Sequence, residues 1–164
     1  ALSISATTRA KRPHETDGVQ YHFVTREEFE RRRATGYFLE TAEVHEHLYG
    51  TPRAFVEERL RQGRVVVLEV DVQGGASVRR AHGNAVSVFV YPPNVVSLRE
   101  RLAGRGTDAA EVIERRLKNA EGELEQLSEY DYAILNDDLE RAVARLTAIV
   151  DAERSRVGRM RRPT

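Results

Sequence analysis

The sequence predicts an α/β fold built around a parallel sheet. Three observations point to it. Residues 65–72 read Val-Val-Val-Leu-Glu-Val-Asp-Val, a nearly continuous β-branched run that suits a parallel strand covered on both faces. Two more short apolar runs, at 86–91 and 130–135, have the same character. The stretches between and after them are amphipathic at helical spacing. Ile113, Leu117, Ala120, Leu124 and Leu127 share one face, and Leu139, Ala142, Val143, Leu146, Ile149 and Val150 share another.

Taken in order, residues 2–6 alternate weakly and read as a short strand entering a polar, basic loop at 7–13. Residues 21–24 are a strand fragment. Thr25 with Glu28 three residues on is a capping box, and the helix it opens should stop near Gly36. Residues 37–44 look extended. Thr51-Pro52 reads as an N-cap followed by proline at the first helical position, opening a helix to about Gln62 that Gly63 ends. After the strand at 65–72, Gln73-Gly74-Gly75 should turn the chain. The strand at 86–91 ends at Pro92-Pro93, and Asn94 caps a helix bearing Val95, Leu98 and Leu102. Residues 103–107, Ala-Gly-Arg-Gly-Thr, interrupt that helix as a flexible hinge. The tail from Arg154 holds five arginines and is expected to fray.

The 164 residues suffice for one domain with a real core. Lys+Arg and Asp+Glu balance at 26 each, so net charge gives no pull toward nucleic acid or an anionic membrane, and any anion site must be local. The absence of cysteine excludes disulfides, thiolate metal sites and a Cys nucleophile, and fits a cytoplasmic location. No apolar run reaches the ~18 residues of a membrane span. The chain opens on Ala1 without an initiator Met or a signal-peptide pattern, so it is expected to start inside a longer gene product.

Four constellations could bear chemistry. Ser5, Arg9 and Arg12 lie with Thr7 and Thr8 in the basic loop, and Tyr21 follows. Paired guanidiniums beside hydroxyls suit phosphate, although a solvated basic turn has the same composition. Glu40 sits in an apolar stretch and needs a partner. An arginine would serve, and so would the adjacent N1–H and exocyclic amine of guanine, whereas adenine presents an acceptor at N1. Glu69 and Asp71 stand two apart at a strand end, where ligands gather in parallel sheets. They suit Mg²⁺ or ligand binding, or a helix cap and salt bridge. Arg99, Arg101, Arg105, Arg115 and Arg116 flank the glycine hinge, as a phosphate-closing lid or a charged helix face would require. His45-Glu46-His47 lacks a third and fourth ligand at sensible spacing for a metal.

Together these segments resemble the guanylate kinases. SISATTRAKRP, DGVQYHFV, FLETAEVHEHLYGTPR, VVLEVDVQG, YPPNVVSLRERLAGRGTD, VIERRL and YDYAILNDDLE occur in the family's order and spacing over residues 1 to about 153. The resemblance implies a P-loop NTPase-like core at about 64–103 and 117–153, a mixed α/β GMP-binding arm at about 3–53, and a helical lid at about 104–116. Ser5, Arg9, Arg12, Tyr21 and Tyr49 then match the GMP phosphate ligands, and Glu40, Thr51 and Asp71 the guanine readers. Arg105 and Arg116 match lid arginines reaching the ATP phosphates, Arg101 an arginine near adenine, and Asn136 a residue lining the adenine pocket. Arg9, Arg105 and Arg116 are the expected catalytic residues.

The implied reaction is transfer of the ATP γ-phosphoryl group to GMP or dGMP with Mg²⁺, by a monomer or homodimer. The rival implication is a guanylate-kinase-like protein-binding module that barely catalyses. The family also has a P-loop ahead of the segment that opens here. No GxxxxGK[ST] occurs in this sequence, and no Lys-Ser/Thr follows Gly74-Gly75. The resemblance therefore implies a preceding strand, P-loop and helix, roughly 30 residues that cradle the ATP phosphates.

Overall fold

The computed structural model describes residues 1–104 and 109–159. The chain is mixed α/β and divides into two compact units, Ala1–Ala85 and Val86–Thr164.

The first unit is built on a four-stranded sheet in the order β2-β1-β4-β3, with β1 Ala6–Thr7, β2 His22–Phe23, β3 Phe38–Val44 and β4 His47–Pro52. β1 runs parallel to β2 and antiparallel to β4, and β3 and β4 form a hairpin. Helix α1 (Arg26–Ala34) covers one face. Thr25 caps it, its Oγ1 accepting from Glu28 N at 3.1 Å, while the Glu28 carboxylate turns to Arg31 and Arg32. Its other end closes as a Schellman turn. Gly36 takes φ +72°, its N–H donates to Arg33 O, and Tyr37 N donates to Arg32 O.

Ala6, Phe29, Phe38 and Leu48 make the core under α1, with Phe29 and Phe38 stacked at 4.5 Å between centroids. Gly50 permits this packing, since a Cβ there would stand 2.8 Å from Phe38 Cδ1.

The register of β3 on β4 shifts between Phe38 and Glu40. Phe38 lies opposite Pro52 and Glu40 opposite Thr51, two residues on β3 against one on β4. In an unbroken strand Phe38 and Glu40 would share a face. This β-bulge separates them, with Phe38 in the core and Glu40 on the opposite face with Thr51.

Three expectations fail in this unit. Thr51 does not cap a helix. It lies in β4 and its hydroxyl is engaged by Glu40, so α2 (Arg53–Arg61) starts from Pro52 with no side-chain cap. The run at 65–72 is not a strand buried on both faces. Its ladder is confined to Ala1–Ser3 (Ser3 N to Val67 O at 3.0 Å, Val67 N to Ala1 O at 2.8 Å). With so few neighbours, Val65 and Val67 remain 38% and 40% exposed. Gln73-Gly74-Gly75 does not turn the chain but opens α3 (Val72–Ala81), because Asp71 Oδ1 accepts from Gly74 N at 2.9 Å and caps a helix there.

The second unit holds the parallel pair β5 (Val88–Tyr91) and β6 (Tyr132–Leu135), with helices α4 (Val95–Gly104), α5 (Ala110–Leu124) and α6 (Leu139–Arg154). Asn94 Oδ1 accepts from Ser97 N and caps α4 as expected. Leu117 is buried on the predicted face of α5. Phe89, Leu102, Ile134 and Ala142 are also buried in this unit. Of the tail expected to fray from Arg154, residues up to 159 are described, and residues 160–164 lie outside the described residues. Buried Glu153 accepts from Tyr132 Oη at 2.6 Å and pairs with Arg156 and Arg159, which fixes a short 3₁₀ turn at Val157–Arg159. Among the described residues no helix is long and apolar enough to cross a membrane.

Candidate functional site

Residues directly opposite each other in an antiparallel pair point to one face. Glu40 with Thr51, Ala42 with Tyr49, and Tyr49 with Thr7 therefore continue a single face of the first sheet, away from α1. That face has an acidic end and a basic end, both anchored on β4. Tyr49 and Thr51 are two residues apart there, a spacing of about 7 Å.

At the acidic end Glu40 is buried, 7% exposed. Its Oε1 accepts from Thr51 Oγ1 at 2.6 Å and from Thr51 N at 3.2 Å. Its Oε2 faces the first turn of α3, where a Cβ on Gly74 would stand 2.8 Å from it and 3.2 Å from Asp71 Oδ1. Only glycine lets the helix N-terminus come this close. Burial pushes the Glu40 carboxyl above its ordinary range, the two Thr51 bonds oppose the shift, and the Asp71 charge adds to it. Among the described residues Glu40 makes no ion pair, so the alternative of an arginine partner does not hold. Two carboxylates thus lie side by side with fewer donors than they can accept, which is the environment that hydrogen-bond donors on a ligand would relieve.

At the basic end the loop after β1 is folded on itself. Thr7 Oγ1 accepts from Arg9 N at 3.1 Å. Arg9 Nη2 donates to Glu15 Oε1 at 2.7 Å, and Arg12 N donates to Glu15 Oε2 at 2.8 Å. The Arg9 guanidinium lies over the rings of Tyr21 and Phe23, 5.5 and 5.7 Å from their centroids. Tyr21 in turn meets Tyr49 edge to face at 5.8 Å. This is not a solvated basic turn, since the Arg9 side chain is only 12% exposed. Burial opposes the Arg9 charge, but the bond and charge of Glu15 outweigh it and raise the pKa. The Arg9 hydrogen bond draws the Glu15 carboxyl down to about 2. Tyr21 is pushed up by burial, then by the charge of Glu69, so it stays a neutral phenol able to donate to an anion. Ser5 is buried just before β1, its carbonyl accepting from His22 N at 2.9 Å.

The fold thus gathers Arg9, Arg12, Tyr21 and Tyr49 in one group, and Glu40, Thr51 and Asp71 in another. In the second unit Arg101 and Asn136 meet, Arg101 Nη2 donating to the Asn136 carbonyl at 2.8 Å. Arg116 is half-buried on α5, and Arg99 pairs with Glu114, tying α4 to α5. Arg105 and most of the expected hinge lie outside the described residues. Two residues escaped the sequence reading. Glu15 had a usable signal, a carboxylate within six residues of Arg9, Lys11 and Arg12. Gly74 had none, because its role depends on how closely two distant segments approach.

The first sheet thus carries an acidic end and a basic end on one face of a mixed α/β chain. The sequence matches the guanylate kinase family profile over residues 1–153. It is 53% identical over 158 residues to the guanylate kinase of Symbiobacterium thermophilum, covering 96% of this chain and 75% of that protein. It is 49% identical over 158 residues to the guanylate kinase of Thermotoga maritima, covering 96% and 76%. The crystal structure of guanylate kinase from Anaplasma phagocytophilum superposes with a TM-score of 0.86 at 36% identity, over 97% of this chain and 78% of that one. The chain belongs to the guanylate kinase family, with its P-loop NTPase-like fold.

Proposed function

We propose that the chain is a GMP kinase, with residues of the first unit holding the acceptor and residues of the second attending ATP. The arm at about 3–53 holds GMP or dGMP, residues 64–103 and 117–153 belong to the nucleotide core, and 104–116 form the lid. Glu40 and Asp71 accept from guanine N1–H and its exocyclic amine, with Thr51 fixing Glu40. Ser5, Arg9, Arg12, Tyr21 and Tyr49 hold the phosphate. Arg101 and Asn136 serve the adenine side, and Arg105 and Arg116 the ATP phosphates.

The reaction is ATP + GMP giving ADP + GDP. An oxygen of the GMP phosphate attacks the γ-phosphorus in line, and the bond to the β-phosphate oxygen breaks with ADP leaving. The protein's part is positioning, charge neutralisation and water exclusion. Family members are phosphotransferases that use Mg²⁺ with ATP. Among the described residues no three His, Asp or Glu side chains gather to hold a metal ion. Mg²⁺ would enter with ATP and would neutralise charge on its phosphates.

The observation that supports this reading best is the pairing of a donor-poor acidic end with a cationic end along β4. A coupled assay with GMP, AMP, UMP and CMP tests it. GMP should be the preferred acceptor by a wide margin. Equal turnover of AMP would refute the base assignment, and no turnover of any acceptor by the protein with an intact P-loop would favour the protein-binding alternative.

A further inference from the structure

We propose that Glu15 is a positioning residue for the acceptor phosphate, fixing Arg9 and Arg12 in the geometry that receives it. The inference rests on the phosphate-binding reading above and adds a residue that does not itself touch substrate.

The loop from Arg9 to Glu15 has few means of holding its shape, being polar and without regular structure. One side chain supplies most of them. Glu15 is 5% exposed, and its two oxygens take different partners, Oε1 the Arg9 guanidinium at 2.7 Å and Oε2 the Arg12 backbone N–H at 2.8 Å. Arg12 Nη1 also approaches Oε1 at 3.9 Å. The main chain of Glu15 is tied into the same loop. Its N–H donates to Arg12 O at 3.0 Å, and its carbonyl accepts from Lys11 Nζ at 3.2 Å. A single carboxylate therefore sets the direction of one arginine side chain and the backbone position of the other.

Two consequences follow. First, a phosphate entering this loop meets guanidiniums already oriented, so little reorganisation accompanies binding or transfer. Arg9 has further support from Ala10 O, which accepts from its Nη1 at 2.8 Å, and from the rings of Tyr21 and Phe23. Second, Glu15 does not cancel the basic end. One negative charge faces Arg9, Lys11 and Arg12, and the loop keeps a cationic excess for an anion. A carboxyl drawn down to about 2 remains ionised at every pH at which the enzyme would be assayed.

The test compares GMP with guanosine, which shares the base and sugar and lacks the phosphate. Both are titrated by calorimetry into the protein and into Glu15→Gln, which keeps the size but turns an acceptor into a donor facing N–H groups. Glu15→Asp, which keeps the charge but cannot span both partners, is the second variant. The expected result is that GMP binding weakens about tenfold or more in Glu15→Gln while guanosine binding changes less than about twofold. Glu15→Asp should fall between, and KM for ATP should stay within about twofold. Equal weakening of GMP and guanosine would reduce Glu15 to a fold-holding residue and overturn the proposal. So would unchanged or tighter GMP binding in both variants. Should the unaltered protein itself bind GMP no tighter than guanosine, the phosphate-site reading fails instead, and the two failures are distinct.

Discussion

The two ends of the acceptor face solve opposite problems. At the basic end charge is already answered, since Glu15 lies against Arg9 and Arg12 and the aromatic rings of Tyr21 and Phe23 flank the guanidinium. At the acidic end charge is left in conflict, with Glu40 beside Asp71 and, among the described residues, only Thr51 donating to it. In the proposed reading, a phosphate meets a rigid frame that keeps a net positive charge. In the same reading, a base edge meets acceptors that are unsatisfied until donors arrive. The contrast explains why an unpaired carboxylate is tolerated in one place and a doubly paired one is needed in the other.

Replacing Glu40 should have the largest effect. Glu40→Gln puts an amide donor where guanine offers donors, and kcat/KM for GMP should fall about 100-fold or more, with discrimination against AMP narrowing. A steady-state assay with both nucleotides measures it, and a change within about threefold would remove Glu40 from the base site. Arg9→Ala comes next. It should weaken GMP by about 1.5–3 kcal/mol, the scale of a charged hydrogen bond, read by calorimetry. Gly74→Ala should raise KM for GMP about tenfold by displacing Glu40 Oε2, the usual cost of overpacking, while KM for ATP holds. Parental KM in that variant would show that the close approach is immaterial.

The smallest effect is on stability, and there the two ends should differ in sign. The folded-state pKa of Glu15 lies below its unfolded value, so its contribution is present in full above about 4.5 and is lost as pH falls toward about 2. The folded-state pKa of Glu40 lies above its unfolded value, so its ionisation costs stability as pH rises above about 4.5 toward the raised folded-state value. Without ligand at neutral pH, Glu40→Gln should therefore raise Tm and Glu15→Gln lower it. Thermal melts of the two variants falling in the same direction would erase the distinction between paired and conflicted ends.

Much of this was legible in the sequence because local chemistry decided it. Thr25 and Gly36 bracket α1 by rules that act within a few residues, and Asn94 starts α4 in the same way. The residues proposed for the site could be singled out from motif order alone. What could not be read depended on distant partners. Residues 65–72 are rich in valine, yet how many strands flank them is not a property of the run itself. Thr51-Pro52 has the letters of a helix start, but the hydroxyl is claimed by a carboxylate eleven residues away in the chain. The bulge that separates Phe38 from Glu40 leaves no mark in composition, although it puts one residue in the core and the other on the opposite face with Thr51.

The central claim is that base and phosphate are read separately by two groups on one sheet face. Calorimetry of Arg9→Ala and Glu40→Gln against both GMP and guanosine tests it most directly. Arg9→Ala should weaken GMP and leave guanosine nearly unchanged, whereas Glu40→Gln should weaken both by similar factors. If Arg9→Ala weakens guanosine as much as GMP, or Glu40→Gln spares guanosine, the division of labour along β4 does not exist.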